Sequence, residues 1–370
     1  MKIKQTALVA AFLALAVCAF AQLSPDLQTV AVVRLSKSQN ISVKELKDYV
    51  TWMGITKSGA EAPGALSATE RREVLDKIGE QLLLCQAAEQ ENMMVSNQEL
   101  NERFNEMINP IKAFLSEKNG KAPTDAEVDA ELRTQTGMTR VGFREQIRRS
   151  MASDKYIQTK KQNLFQAVRD PGEAEILELY NQQKGKSLSE GGFDRPQVIR
   201  LKMIVIPYRS AAEKTAAQER GAALSRQIGN DPVKFDEASA DAAKPNSGYI
   251  SGEGPYLYKF EQTAASAGDR DFLNLIFGLK QGEVSRSIER PDAFYIIKVL
   301  ESLRPKTLTL DDIYNLGDPR PMTVRQYIGG FLRERNHMET YQRAYQEILA
   351  DLKKRGSVQV MDNVYNSIVW

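Results

Sequence analysis

The amino-acid sequence predicts an α+β protein, mostly helical, with one compact α/β unit inserted into a helical chain. Three observations carry that expectation. Two apolar strand patterns, Val198 to Ile206 stopped by Pro207 and Ala293 to Leu300 entered from Pro291 and Asp292, enclose a segment of about a hundred residues, an ordinary domain size. Outside that segment, helix-start signals recur along the chain. A lone strand pattern stands at each end of the helical part, Val30 to Leu35 and Ser357 to Met361. Neither is expected to stay single, because an unpaired strand leaves its backbone donors and acceptors unsatisfied. The two ends should therefore build one module that the α/β unit interrupts.

The chain of 370 residues opens with Lys2 and Lys4, an uncharged apolar run from Ala7 to Phe20, and Ala19-Phe20-Ala21 before Gln22. A basic start, a short apolar stretch and a small-x-small site describe a secretory signal peptide over residues 1–21, cleaved near Ala21. The run is shorter than the ~20 apolar residues that cross a bilayer comfortably. Lipid anchoring at Cys18 is disfavoured by Val17, where such sites carry a small residue. Cleavage takes the formal charge from +2 to about zero. Without excess Lys and Arg there is no footprint for nucleic acid. No Gly-x-x-x-x-Gly-Lys-Ser/Thr motif is present, so no nucleotide is expected. Cys85 alone remains after cleavage, in the apolar setting Leu82-Leu83-Leu84, which excludes an internal disulfide and cysteine-held metal clusters. The single histidine, His337, removes His-Glu-x-x-His zinc sites and Ser-His-Asp triads. No metal and no cofactor are expected.

In chain order, Val30 to Leu35 is a short strand, and Ser42-Val43-Lys44-Glu45 starts a short helix through Val50. In Ser-x-x-Glu the two side chains satisfy backbone donors that a helix start leaves orphaned. The same spacing recurs at Ser67/Glu70, Ser96/Glu99, Thr124/Glu127 and Thr323/Gln326, and Asp170-Pro171-Gly172-Glu173 adds Pro at a first helical position. The helix from Ser67 carries Val74, Ile78, Leu82 and Cys85 on one stripe. The helix from Ser96 carries Leu100, Phe104, Met107, Ile108 and Ile111, and one from Val141 to Ile157 carries Phe143, Ile147, Met151 and Ile157. Lys118 to Pro123 is a turn, Lys184 to Gly192 reads as a linker, and Arg304-Pro305 marks a second boundary. Between the two strands of the α/β unit lie two helical patterns and a loop, Pro245 to Gly252. The last long helix sets Tyr341, Tyr345, Ile348 and Leu352 on one stripe and stops at Gly356, read as a C′ position.

This order of parts resembles the SurA/PrsA-like periplasmic foldases. On the amino-terminal side the resemblance rests on Val30 to Val33, Ile41-Ser42, Leu75 to Ala88, Val95 to Leu100 and Phe143 to Arg148. In the middle, Arg195 to Leu201, Leu279 to Ser285 and Phe294 to Val299 look like a parvulin-type (PpiC) prolyl isomerase domain. The resemblance implies a SurA-type helical chaperone domain over 22–193, a parvulin-like domain over 194–304, and a C-terminal helix and strand over 305–370 that pack on the N-terminal domain. Uncatalysed prolyl isomerisation faces a barrier of ~20 kcal/mol. A parvulin grips proline in an apolar pocket, with two histidines beneath it and an aspartate or cysteine nearby.

The chain departs from that pattern. The first histidine position falls on Met203 and the second on Tyr295, while Asp241 takes the acidic position. Phe272 falls on the aromatic of the proline pocket, and Gly268 stands where the pocket carries a methionine. The usual Gly-Gly-Asp-Leu-Gly loop shrinks to Ser247-Gly248-Tyr249-Ile250-Ser251. With both imidazoles gone, the parvulin-like domain is expected to be inactive, with Phe272 kept as a substrate-binding candidate. The resemblance then implies an ATP-independent periplasmic holdase for unfolded or nascent exported polypeptides, outer-membrane proteins among them. Trp52, Met93, Met94, Met107 and Phe114 are the candidates for client contact, since Met-rich surfaces adapt to varied partners. The alternative is a prolyl isomerase of low activity, in which Tyr295 keeps a hydroxyl donor.

Overall fold

Strand β1 (Thr29–Arg34) is the middle of a three-stranded antiparallel sheet, with β2 (Ser38–Ser42) on one side and β9 (Ser357–Val360) on the other. The two lone strand patterns thus pair directly, Ala31 with Val360 and Arg34 with Ser357. Val30, Ala31, Val32 and Val33 are all buried, as in a strand covered on both faces. The computed structural model describes residues 24–58, 66–260 and 267–370. The expected signal peptide, its cleavage site near Ala21 and Cys18 lie outside the described residues. The chain forms two compact units, one of residues up to Val168 together with Asn336–Trp370, the other Arg169–Arg335.

In the first unit, α1 (Val43–Ser58), α2 (Ala68–Gln90), α3 (Asn97–Asn119), α4 (Asp125–Thr136) and α5 (Arg140–Lys160) follow the strands, with a short α6 (Gln162–Gln166). Full capping boxes start α2, α3 and α4 at Ser67/Glu70, Ser96/Glu99 and Thr124/Glu127. At Ser42/Glu45 only half the box forms. Ser42 Oγ accepts the Glu45 N–H at 3.1 Å, but the Glu45 carboxylate pairs with Arg149 of α5 instead. Helix α1 continues well past the expected end at Val50, because Trp52 and Met53 of its second half find apolar partners. One core gathers Leu75, Ile78, Leu82 and Leu83 of α2 with β1 and with Ile348 and Leu352; a second gathers Leu100, Phe104 and Ile108 with Leu132 and Phe143.

Two close contacts fix how the sheet meets the helices. Gln86 of α2 is 1% exposed, and its Oε1 accepts the N–H groups of Leu35, Ser36 and Lys37 at 3.0, 3.2 and 3.4 Å, tying down the β1–β2 turn. Helix α11 (Val324–Arg355) opens with a capping pair at Thr323/Gln326 and ends at Gly356. Gly356 does not adopt the left-handed conformation expected of a C′ residue. It is glycine for room: a Cβ there would lie 2.7 Å from the Arg34 carbonyl oxygen.

The second unit centres on a four-stranded antiparallel sheet, ordered β5 (Ile250–Tyr258), β4 (Val198–Pro207), β7 (Ala293–Leu303), β6 (Ile288–Glu289). Helices α8 (Ala211–Ile228) and α9 (Pro232–Ala242) pack on one face, and α10 (Ala267–Gly278) on the other. Strand β5 replaces the end of the expected loop Pro245 to Gly252. Gly252, Gly254 and Pro255 conceal its strand pattern, and it lies at a sheet edge, where Pro is tolerated. The unit also takes in more chain than the 194–304 expected. Helix α7 (Glu173–Gln183), Phe193 and Leu308 share a buried cluster with Val324, Ile328 and Leu332, and β3 (Asp194–Arg195) pairs with β8 (Lys306–Thr307). The segment read as a linker, Lys184 to Gly192, is therefore folded, with Leu188 packed on that cluster. Helix α7 begins at Glu173 with Gly172 as its cap, so Pro171 precedes the helix rather than opening it.

Candidate functional site

Strand alternation decides what meets on the β4–β7 sheet. Met203 pairs with Ile297 and Val205 with Tyr295, which places Met203 and Tyr295 diagonally across neighbouring strands. Both pack with Leu201 and Ile297 on the face covered by α10, and Phe272 of α10 joins them. The Phe272 and Tyr295 rings meet edge to face, with centroids 6.1 Å apart. The Met203 methyl group reaches to the space beside Gly254, 3.4 Å from where a Cβ would stand.

Asp241 is not part of this group. It sits in the last turn of α9, exposed, with its carboxylate 2.6 Å from the Lys244 ammonium. The buried side of α9, Phe235 and Ala242, packs on Ile204 and Ile296, the opposite face of the sheet. The structure thus brings together three of the four expected site residues and leaves the acid elsewhere. It adds one that the sequence pattern conceals. Arg290, in the β6–β7 turn, places its guanidinium 4.8 Å over the centre of the Phe272 ring and pairs with Asp269. Nothing in the run Arg290-Pro291-Asp292 signals that contact.

The chemistry available on this face is narrow. Burial raises the Tyr295 phenol above its ordinary value, the Asp292 carboxylate acts in the same direction, and Arg290 opposes them. Tyr295 therefore holds its proton and can only donate or accept a hydrogen bond; its hydroxyl has no such partner among the described residues. Met203 offers a thioether. The face can grip an apolar ring and donate one hydrogen bond, and among the described residues it holds no histidine to exchange protons near neutral pH. Among the described residues no three His, Cys, Asp or Glu side chains gather as metal ligands.

A second candidate site lies in the first unit. Met107 and Phe114 fall on one face of α3, seven residues apart, and Trp52 comes from α1. All three line one groove of about 470 Å³, together with Pro110, Ile111 and Phe143. Phe114 is 49% and Met107 39% exposed, large apolar groups left facing water beside a formed core. The other two candidates do not join them: Met93 packs against the first core and Met94 is exposed outside this groove.

Comparison with known proteins agrees with the middle of this picture. Residues 171–315 match the family model described as the PPIC-type PPIASE domain. The chaperone SurA of Chromohalobacter salexigens is 23% identical over 289 residues, 77% of this chain and 58% of that protein. The chain thus spans little more than half the length of this curated relative. Among solved structures, a SurA-like chaperone of Campylobacter jejuni is 13% identical over 88% of this chain and 98% of its own, with a TM-score of 0.32. PrsA from Bacillus subtilis is 18% identical over 93% and 100%, with a TM-score of 0.25. Residues 171–315 are thus similar to a parvulin-type domain, within a chain similar in sequence to the chaperone SurA over much of its length.

Proposed function

We propose that the protein is an exported, ATP-independent holdase that binds unfolded or nascent polypeptides through its helical unit, while the parvulin-type unit keeps its fold without isomerase chemistry. The observation that carries this reading is the pair of exposed apolar side chains, Met107 and Phe114, facing Trp52 across a ready-made groove. Holding an unfolded client requires only favourable burial and mass action, with no covalent step. Met203 and Tyr295 at the histidine positions, and Asp241 on the far face of the sheet, support the inactive reading of the other unit. The signal-peptide pattern of residues 1–21 supports a periplasmic location, and exported proteins, including outer-membrane proteins, are the clients that fit it.

A weak prolyl isomerase is the second reading, favoured by one observation: the Tyr295 hydroxyl stands unengaged beside the Phe272 ring. Two assays on the intact protein separate the readings. Suppression of aggregation of several unrelated denatured proteins, weakened by Trp52→Ala and Phe114→Ala, is expected of the holdase. Acceleration of an X-Pro peptide that is abolished by Phe272→Ala and by Tyr295→Phe would overturn the inactive assignment.

A further inference from the structure

Beside the apolar groove, the first unit holds a second and more polar one of about 550 Å³ between α1, α2, α5 and the later part of α11. Trp52 lines both. Four glutamines line the polar groove: Gln81, Gln146, Gln342 and Gln346. Gln146, which also lines a neighbouring pocket with Glu145 and Arg149, has a buried Oε1 without a hydrogen-bond partner among the described residues. The side chains of Gln342 and Gln346, both exposed, make no hydrogen bond among the described residues. Gln81 accepts the Tyr49 hydroxyl at 3.0 Å and keeps its amide N–H groups.

The carboxylates around this groove are already engaged. Glu80 is bound by Lys353 and by the Tyr345 hydroxyl, each at 2.7 Å, and Asp154 by the Tyr341 hydroxyl at 2.5 Å. Glu80 is offset by Lys353, and Asp154 and Lys77 add one charge of each sign, so the lining carries no net charge that would select an ionic ligand. What it offers is carboxamides, each both donor and acceptor, over an apolar floor that includes Val74 and Leu84. An extended peptide main chain presents the complementary set, one donor and one acceptor per residue, and no charge.

We propose that this groove binds the main chain of an unfolded client, while the neighbouring apolar groove takes one of its side chains, the two meeting at Trp52. This rests on the holdase reading and adds to it a substrate class: extended polypeptide recognised largely by backbone, without regard to sequence. Glutamine suits that task because its amide turns to match a donor or an acceptor in any register. Breadth of clients then follows from the groove as well as from the adaptable methionine beside it.

The test uses the full chain carrying Trp370→Phe, which leaves Trp52 as its only tryptophan. The probes are a short neutral unfolded peptide without tryptophan, and the same peptide N-methylated at alternate residues, which keeps the side chains and removes main-chain donors. The unmodified peptide is expected to shift Trp52 emission and to bind several-fold more tightly than the methylated one. Gln146→Leu is expected to weaken the unmodified peptide roughly three- to tenfold, the worth of a hydrogen bond or so, and to leave the methylated peptide unchanged. Equal affinities for the two peptides in the protein with native Gln146 would overturn main-chain recognition, and need no folded variant. Aggregation suppression without any Trp52 response would overturn the site while leaving the holdase reading in place. Absence of aggregation suppression would instead remove the reading beneath it.

Discussion

Adding one methyl group at two glycines of the same helix region should change stability in opposite directions. At Gly356 a Cβ would meet the Arg34 carbonyl oxygen at 2.7 Å, Leu83 Cδ2 at 3.0 Å and Leu35 Cδ1 at 3.1 Å. The two leucine tips can rotate away, but the carbonyl belongs to β1, whose Arg34 pairs with Ser357. Gly356→Ala must therefore push β9 off β1, and overpacking of that kind costs about 2 kcal/mol. In a unit of roughly two hundred residues this lowers Tm by about 4–8 °C. At Gly330, in the exposed interior of α11, a Cβ would meet nothing within 4 Å. Gly330→Ala should raise stability by about 1 kcal/mol, since alanine loses less backbone freedom on entering a helix. Thermal unfolding followed by circular dichroism reads both changes. Hydrogen exchange then localises the first, with the Ser357 to Val360 amides losing protection in Gly356→Ala alone. Stability equal to the parent in Gly356→Ala, or both variants shifting the same way, would refute the close-approach argument.

Other outcomes follow from single contacts. Gln86→Leu removes the acceptor of the Leu35, Ser36 and Lys37 amides and also removes a buried, unpaired Nε2, so a net loss of about 1–2 kcal/mol is expected, with faster exchange at those three amides. Burial pushes the Asp312 carboxyl up, but Lys306 and the Thr309 hydroxyl and N–H outweigh it and hold the group at about 2. Because the folded value lies below the unfolded one, Asp312 contributes stability above pH ~4 that fades as pH falls through about 2; Asp312→Asn should destabilise at pH 7 and be nearly silent at pH 2. Phe114→Ser should lower aggregation suppression several-fold while lowering Tm by only about 2–4 °C, since Phe114 is half exposed and its lost burial is worth about 1 kcal/mol. Loss of suppression only in variants that melt earlier still would count against the groove.

The sequence made some of this architecture legible and concealed the rest for identifiable reasons. Capping boxes are local, so Ser67, Ser96 and Thr124 mark their helix starts correctly. Glu45 shows the limit of such a signal, because a distant arginine competes for the same carboxylate. The pairing of Val30–Leu35 with Ser357–Met361 could be inferred because single strands need partners. Strand β5 could not, since two glycines and a proline erase its alternation. At the candidate sites, alternation along β4 and β7 brings Met203 and Tyr295 to one face, and helical spacing puts Met107 and Phe114 together. The arrival of Arg290 over Phe272, and of four glutamines in one groove, depends on elements far apart in sequence that leave no periodic trace.

The antiparallel pairing of β1 with β9 also sets an order of events during synthesis. Strand β1 finds one of its two partners only after more than three hundred further residues have been made. Until then the apolar residues of β1 and the α2 stripe that should close over Leu352 remain incompletely covered. The segment Arg169–Arg335 has its own sheet and buried clusters and can close earlier. Such long-range pairing slows folding and lengthens exposure to aggregation. A protein proposed to shelter unfinished chains thus completes its own first sheet only when β9 reaches β1, hundreds of residues later.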